Sequence, residues 1–172
     1  MQVQIKTLAA AIPVITYFLP ISSNAFTYPL IHGNIFHLAA NVITLFMFIR
    51  ASADTKTFIN FIIGGYVASV LAYVLYGNTL TVGASGFVFG IIGIYTVFSY
   101  RGMYFRLLTS SFLWIALAYI TVGFIIPGLA GWLHLYAFGI GIVYGSVALR
   151  VNRFIRKLQC KLPTHAKRWD GL

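Results

Sequence analysis

Residues 83–100 read GASGFVFGIIGIYTVFSY, a continuous stretch without a single charge. A run of this length and character is typical of a helix that crosses a lipid bilayer, which needs about 20 apolar residues. The whole chain agrees with this, because 60% of its 172 residues are hydrophobic and only 8% are charged, whereas soluble domains carry about 25% charged residues. The sequence therefore predicts an all-α membrane protein.

Similar apolar stretches lie on both sides of this one. Together they predict six transmembrane helices, one to six, at residues 7–25, 29–49, 57–76, 83–100, 105–126 and 130–151. We expect residues 1–151 to form one six-helix membrane domain and residues 152–172 to form a basic cytoplasmic tail. The first stretch also has the three regions of a secretory signal sequence, and its cleavage would leave five helices.

Basic residues between and after the apolar stretches account for the net charge of +10. Seven of them lie at the end of helix six or after it, from Arg150 to Arg168, and the other five are Lys6, Arg50, Lys56, Arg101 and Arg106. They occupy alternate connections, and the remaining connections have none. By the positive-inside rule, both termini are cytoplasmic. We expect the basic tail to attract anionic lipid, and we expect no nucleic acid as a partner.

Acidic residues are almost absent, since Asp54 and Asp170 are the only carboxylic side chains. This excludes hydrolysis by paired carboxylates, acidic calcium loops and magnesium-dependent phosphoryl transfer. The single cysteine, Cys160, excludes an intramolecular disulfide and a cysteine-based zinc site. We expect no cofactor.

Three histidines and one serine lie in or beside apolar helices, where ionisable groups are costly and are therefore candidates for function. In the predicted orientation, all lie near outer helix starts: His32 and His37 on helix two, Ser85 on helix four and His134 on helix six. These helices run in the same direction, so the four side chains share one depth in the membrane.

A metal site is disfavoured, because His32 and His37 would point about 140° apart around one helix, and no cysteine or carboxylate is near.

Nucleophilic catalysis fits these residues better, with Ser85 as the candidate nucleophile. Gly83 and Gly86 flank the serine within GASG and let the backbone come close to a substrate. The N–H groups and the dipole of a helix N-terminus favour a developing negative charge at this position. The serine would need a base within hydrogen-bond reach and further donors for the oxyanion.

His134 is the plausible base from another helix, and His37 and Asn41 can donate to the oxyanion. Because no carboxylate lies at this depth, we expect a Ser-His dyad rather than a triad. Phe89, one turn after the serine, is placed to pack against the imidazole of His134. This packing would hold the base in its orientation.

Small residues predict that helices four and six approach each other closely. Ala137 and Gly141 follow His134 on one face of helix six, and Gly86 and Gly90 form a small-xxx-small pair on helix four. Such residues allow two helix backbones to come together and would bring the base to the nucleophile.

At these positions the sequence resembles the rhomboid family of intramembrane serine proteases. The match comprises His32-Gly-Asn-Ile-Phe-His37-Leu-Ala-Ala-Asn41, the GASG segment at residues 83–86, and His134 at the start of helix six, in the family's order and spacing. The resemblance implies a six-helix rhomboid-like bundle.

The resemblance also implies a role for each of these residues. Ser85 would be the nucleophile and His134 the general base, while His37, Asn41 and the Ser85 backbone N–H would form the oxyanion hole. His32 would be a supporting polar residue. Substrates would be transmembrane segments of other proteins, cut near the outer face at small residues with helix-breaking residues nearby. For so short a chain, we expect a prokaryotic plasma membrane.

The chain departs from the family at three places. Ala137 stands where the family usually has Gly, Phe89 stands where many members have Tyr, and the connection after helix one lacks the family's long loop with its Trp-Arg pair.

An inactive rhomboid-like protein that binds membrane clients is the alternative function, although inactive members typically lack the serine or the histidine. A channel or transporter would need a polar path, whereas the inner halves of helices two and four are apolar.

Overall fold

The computed structural model describes residues 24–32, 35–51, 55–77, 83–100, 111–126 and 129–161. These residues form one short 3-10 turn, Tyr28–Leu30, and five α-helices, without any β-strand among them. The helices are α1 (Ile35–Ala51), α2 (Thr55–Tyr76), α3 (Ser85–Ser99), α4 (Ser111–Ile125) and α5 (Gly131–Lys161). They correspond to predicted helices two to six. Predicted helix one lies outside the described residues, except for residues 24 and 25 at its end, which lie in a bend and a turn.

Helix α1 begins six residues later than predicted. Pro29 lies in the 3-10 turn, and Ile31 after it is extended, with φ −93° and ψ 138°. Proline is compatible with the first turn of a helix, so the turn ends because the backbone leaves the helical conformation at Ile31. His32 therefore precedes the helix, and its predicted place on helix two was wrong.

The angle of about 140° between His32 and His37 assumed that both lie on one helix. It is therefore no longer an argument against a metal site. Within the described residues, no three His, Cys, Asp or Glu side chains come together as a metal site needs.

Helix α5 continues ten residues beyond the predicted end of helix six. Its 31 residues span about 46 Å at 1.5 Å per residue, which exceeds the hydrocarbon core of about 30 Å. Within the described residues, two segments are long and apolar enough to cross a membrane, Lys56–Tyr76 in α2 and Gly131–Gln159 in α5, and the other three helices are apolar but shorter. The exposed end of α5 carries the basic residues Arg150, Arg153, Arg156 and Lys157.

Helix α3 lies at the centre of the bundle and packs against α2, α4 and α5. Ten of its fifteen residues are buried, as suits a helix that is apolar on all sides. The surrounding helices instead expose large apolar side chains, among them Phe36, Ile43, Trp114 and Val143. A central apolar helix thus carries Ser85 at its first position.

Glycines bring the backbones of α3 and α5 into contact. A Cβ atom on Gly141 would lie 3.0 Å from the carbonyl carbon of Gly90, and one on Gly145 would lie 3.2 Å from the Cα atom of Ile94. Contacts four residues apart in α5, at Gly141 and Gly145, match contacts four residues apart in α3, at Gly90 and Ile94. The two helices therefore run parallel, and their N-termini lie at the same end. Gly141 of helix six therefore lies at the predicted interface, whereas the Gly86 and Gly90 pair faces elsewhere, because a Cβ atom on Gly90 would meet Ala68 and Gly65 of α2 and one on Gly86 would meet Tyr28.

Replacing Gly141 with Ala is expected to destabilise the protein. The added methyl group must push α5 away from the backbone of α3, and such overpacking typically costs about 1–3 kcal/mol. Thermal unfolding of the detergent-purified protein measures the loss. Gly139→Ala is the matched control, because a Cβ atom at Gly139 meets nothing within 4 Å. Equal melting temperatures for the two variants would contradict the close contact.

Candidate functional site

Ser85 and His134 are joined by a hydrogen bond between α3 and α5. His134 Nε2 lies 2.9 Å from Ser85 Oγ, the distance at which a base can take the hydroxyl proton. The serine is half-buried, and the histidine is 4% exposed. When the imidazole is neutral with its proton on Nδ1, the serine hydroxyl donates to Nε2. The structure therefore pairs a hydroxyl with a potential acceptor for its proton.

Packing around the imidazole holds it in this orientation. The ring of Phe89, one turn after the serine, stacks on His134 with a centroid distance of 4.6 Å and an interplanar angle of 24°. The phenylalanine ring also meets the ring of Tyr119 in α4, at a centroid distance of 6.0 Å. Ala137, one turn after the histidine, is completely buried. His134 Nδ1 has no hydrogen-bond partner within the described part of the chain, and both carboxylates of the sequence lie outside it.

The backbone before Ser85 is shaped by glycine. Gly83 has φ +122°, a conformation that residues with a side chain rarely adopt. Helix α3 begins directly afterwards, and its first backbone hydrogen bond runs from the N–H of Val88 to the carbonyl of Ala84. The N–H of Ser85 precedes this ladder, so the helix itself does not use it. It is a donor at the end of a helix where negative charge is favoured.

His37 approaches the same segment from α1. Its imidazole lies against Gly83, where an added Cβ atom would be 2.9 Å from Nε2 of the ring. The rings of His37 and His32 meet edge to face at 5.7 Å, and His32 is buried. The structure thus brings His37 to Gly83, two residues before the serine, and places His32 beside His37.

Asn41 lies one turn after His37 on the same face of α1. Its side chain is 6% exposed, and its amide nitrogen Nδ2 has no hydrogen-bond partner among the described residues. A buried N–H without a partner is unusual, since most buried donors are satisfied. This amide is therefore available to an oxygen atom of a bound molecule.

Tyr28 also contacts the serine segment, although nothing in the sequence pattern singles it out. Its carbonyl accepts a hydrogen bond from the N–H of Gly83 at 3.1 Å. Its hydroxyl lies 2.5 Å from the position that a Cβ atom on Gly86 would take. The nearest signal in the sequence is Gly86 itself, because a glycine at a helix start often marks a close approach. The sequence does not say which residue approaches.

A family model described as a Rhomboid domain matches residues 22–151 of the chain. A curated protein, RHOMBOID-like protein 4 from Arabidopsis thaliana, is 27% identical over 126 residues. That match covers 69% of this chain and 32% of the relative, so the chain spans about a third of the relative's length. No solved structure gave a significant match. The range of the family model includes every residue of the site described above.

Proposed function

The chain belongs to the rhomboid family of integral membrane proteins, and we propose that it is an active serine protease that cleaves transmembrane segments of other membrane proteins near the outer face. The observation that carries this proposal is the 2.9 Å hydrogen bond between Ser85 and His134. Inactive members of the family typically lack one of these two residues, and this chain has both. No metal or cofactor is required for the reaction.

The reaction follows from the roles of these groups. Ser85 Oγ attacks the carbonyl carbon of the scissile bond and transfers its proton to His134 Nε2. The oxyanion that forms receives hydrogen bonds from His37, Asn41 and the Ser85 backbone N–H. His134 then gives its proton to the leaving amine, and an acyl group remains on the serine. Water, with its proton taken by the same histidine, releases the acyl group and restores the enzyme.

The base is oriented by packing in this proposal, because a carboxylate partner is lacking at its depth in the predicted topology. In a triad, an aspartate fixes the tautomer and the direction of the imidazole. Here the stacked ring of Phe89 restricts rotation of His134. Ala137 and Gly141 allow α5 to lie close to α3 and so keep the base within reach, and Gly83 and Gly86 shape the backbone around the nucleophile.

The proposed topology has six transmembrane helices with both termini in the cytoplasm, so that the site opens towards the outer face. Residues 1–151 form the membrane domain and residues 152–172 the basic tail, in the plasma membrane of a prokaryote. Exposed Arg150 and Arg156 on α5 then face the inner leaflet, where a basic residue near anionic lipid contributes about 1 kcal/mol of attraction. We propose such lipids and transmembrane substrates as the partners of this protein.

Labelling with a fluorophosphonate tests this function directly, because the reagent reacts preferentially with an activated serine. The detergent-purified protein is treated with the reagent, and the adduct is located by mass spectrometry. In parallel, a single-span peptide with small and helix-breaking residues near its outer end is assayed for cleavage in proteoliposomes. An adduct on Ser85 and a cut near the outer end are expected. A folded protein with neither would instead favour the inactive, client-binding role, for which the missing Trp-Arg loop is the supporting observation.

Replacing Asn41 with Ala is expected to lower kcat by about 100- to 1,000-fold, as loss of one side-chain donor does in other oxyanion holes. The measurement is steady-state cleavage of the same peptide. Asn60→Ala is the matched control, since Asn60 donates to the carbonyl of Lys56 and accepts a long hydrogen bond from Tyr144, neither of which belongs to the site. A similar rate for the two variants would remove Asn41 from the oxyanion hole.

A further inference from the structure

Tyr28 lies where three parts of the molecule meet, namely the turn before α1, helix α2 and the segment at residues 83–86. Its side chain is completely buried, with 0% exposure. A buried tyrosine hydroxyl needs a hydrogen-bond partner, and its partners show what the side chain holds together.

Helix α2 fixes the side chain of Tyr28. The hydroxyl donates to the backbone carbonyl of Ser69 at 2.9 Å and lies 2.6 Å from Ser69 Oγ, a second hydrogen bond. The ring stacks on Tyr73, with a centroid distance of 4.5 Å and an interplanar angle of 25°. Ser69 is also completely buried. The phenol thus has a single, well-defined position relative to α2.

The same tyrosine holds the segment around Ser85 from both sides. Before the serine, the N–H of Gly83 donates to the Tyr28 carbonyl at 3.1 Å. After it, Gly86 lies directly on the Tyr28 and Ser69 hydroxyls, because a Cβ atom at Gly86 would be 2.5 Å from the first and 3.2 Å from the second. The position of the serine backbone therefore depends on the position of these two hydroxyls.

The turn that carries Tyr28 is itself anchored. Asn24 Oδ1 accepts hydrogen bonds from the N–H groups of Phe26 and Thr27 at 2.9 and 3.1 Å, which makes a compact turn. Tyr66 of α2 donates its hydroxyl hydrogen to the Phe26 carbonyl at 2.8 Å. Tyr66 therefore anchors the same turn as Tyr28, but none of its described contacts involves residues 83–86.

We propose that Tyr28 is a positioning residue, which sets the place of Ser85 relative to His134 through its hydrogen bonds with Ser69 and Gly83. Its effect on cleavage rests on the function proposed above. Removing the hydroxyl leaves the Ser69 Oγ without this buried partner and frees the first turn of α3 to shift. Small misplacements of a reacting group reduce the rate of the chemical step, by up to about 100-fold for a shift of 1 Å.

The first test compares Tyr28→Phe, Ser69→Ala and the control Tyr66→Phe by cleavage kinetics and thermal unfolding. Tyr28→Phe is expected to lower kcat about tenfold with KM unchanged, since it removes no group that contacts the substrate. Adding Ser69→Ala to it should lower kcat little further, because both changes remove the same hydroxyl contact. Tyr66→Phe, which loses one hydrogen bond of the same turn, is expected to retain kcat.

A second test does not depend on catalysis. In a Ser85→Cys background, the alkylation rate at position 85 is measured by mass spectrometry, which separates it from alkylation of Cys160. A thiol beside His134 is activated, so Tyr28→Phe is expected to slow alkylation about threefold relative to Tyr66→Phe. If the wild-type protein does not cleave the peptide or take up fluorophosphonate, the proposed protease function fails, while the alkylation rates still decide the positioning role.

The positioning role is overturned by either of two results. In one, Tyr28→Phe lowers the melting temperature but leaves kcat and the alkylation rate at their original values, which is what a purely structural role predicts. In the other, Tyr66→Phe reduces both rates as much as Tyr28→Phe does, which would assign the effect to the turn as a whole.

Discussion

Ser85→Ala is expected to abolish cleavage of transmembrane peptides while the protein stays folded. Loss of the nucleophile in a serine protease costs on the order of 10⁶-fold in kcat, and no other hydroxyl in the described residues is bonded to His134. The change removes one oxygen atom at a half-buried position, so the packing of α3 is retained. Turnover in proteoliposomes and thermal unfolding in detergent measure the two effects separately.

Ser146→Ala is the matched control for this change. Ser146 Oγ donates to the carbonyl of Ile142 within α5 at 2.8 Å, so the same atom is removed away from the site. We expect this variant to cleave at the wild-type rate. Cleavage by Ser85→Ala at a comparable rate would show that another group is the nucleophile.

His134→Ala is expected to cause a loss of similar size, and the variant should no longer be labelled by fluorophosphonate at Ser85. Without the imidazole, no group accepts the proton as the serine attacks. Because the two residues act as a unit, the double variant should be no slower than either single one. Labelling rates and cleavage rates measure the loss, and thermal unfolding accounts for the space left beside Phe89.

His165→Ala, in the basic tail, is the control for loss of an imidazole elsewhere in the chain. It is expected to be labelled and to cleave normally. Wild-type labelling of Ser85 in His134→Ala would mean that the serine is activated by a different group, and the dyad would have to be abandoned.

The pairing of Ser85 on α3 with His134 on α5 could be predicted from the sequence, because the residues that indicate it lie close to each other along the chain. An uncharged stretch that opens with GASG predicts a buried helix with a serine at its start, and small residues after His134 predict a close helix pair. The hydrogen bond between Ser85 and His134 and the stacked ring of Phe89 agree with that geometry. The catalytic roles of these residues stay predictions until the variants are measured.

Other features could not be predicted because they depend on contacts between distant residues. Tyr28 meets Ser69 across 41 positions of the sequence, and no periodicity marks such a pair. The start of α1 was placed too early because hydropathy does not register the turn at Pro29. The end of α5 was placed too early for a related reason, since arginine, lysine and glutamine lower the hydropathy after residue 151 but are good helix formers.

The backbone contact between α3 and α5 also determines how the protein responds to lateral pressure from its lipids. Bilayers that differ in thickness or composition compress an embedded protein differently, and the loosest interfaces yield first. Where Gly90 meets Gly141, main-chain atoms touch without a flexible side chain between them, and close-packed interiors resist further compression. Lateral compression of the bundle therefore cannot bring α3 and α5 closer at this contact, and we expect the chemical step to be insensitive to such compression.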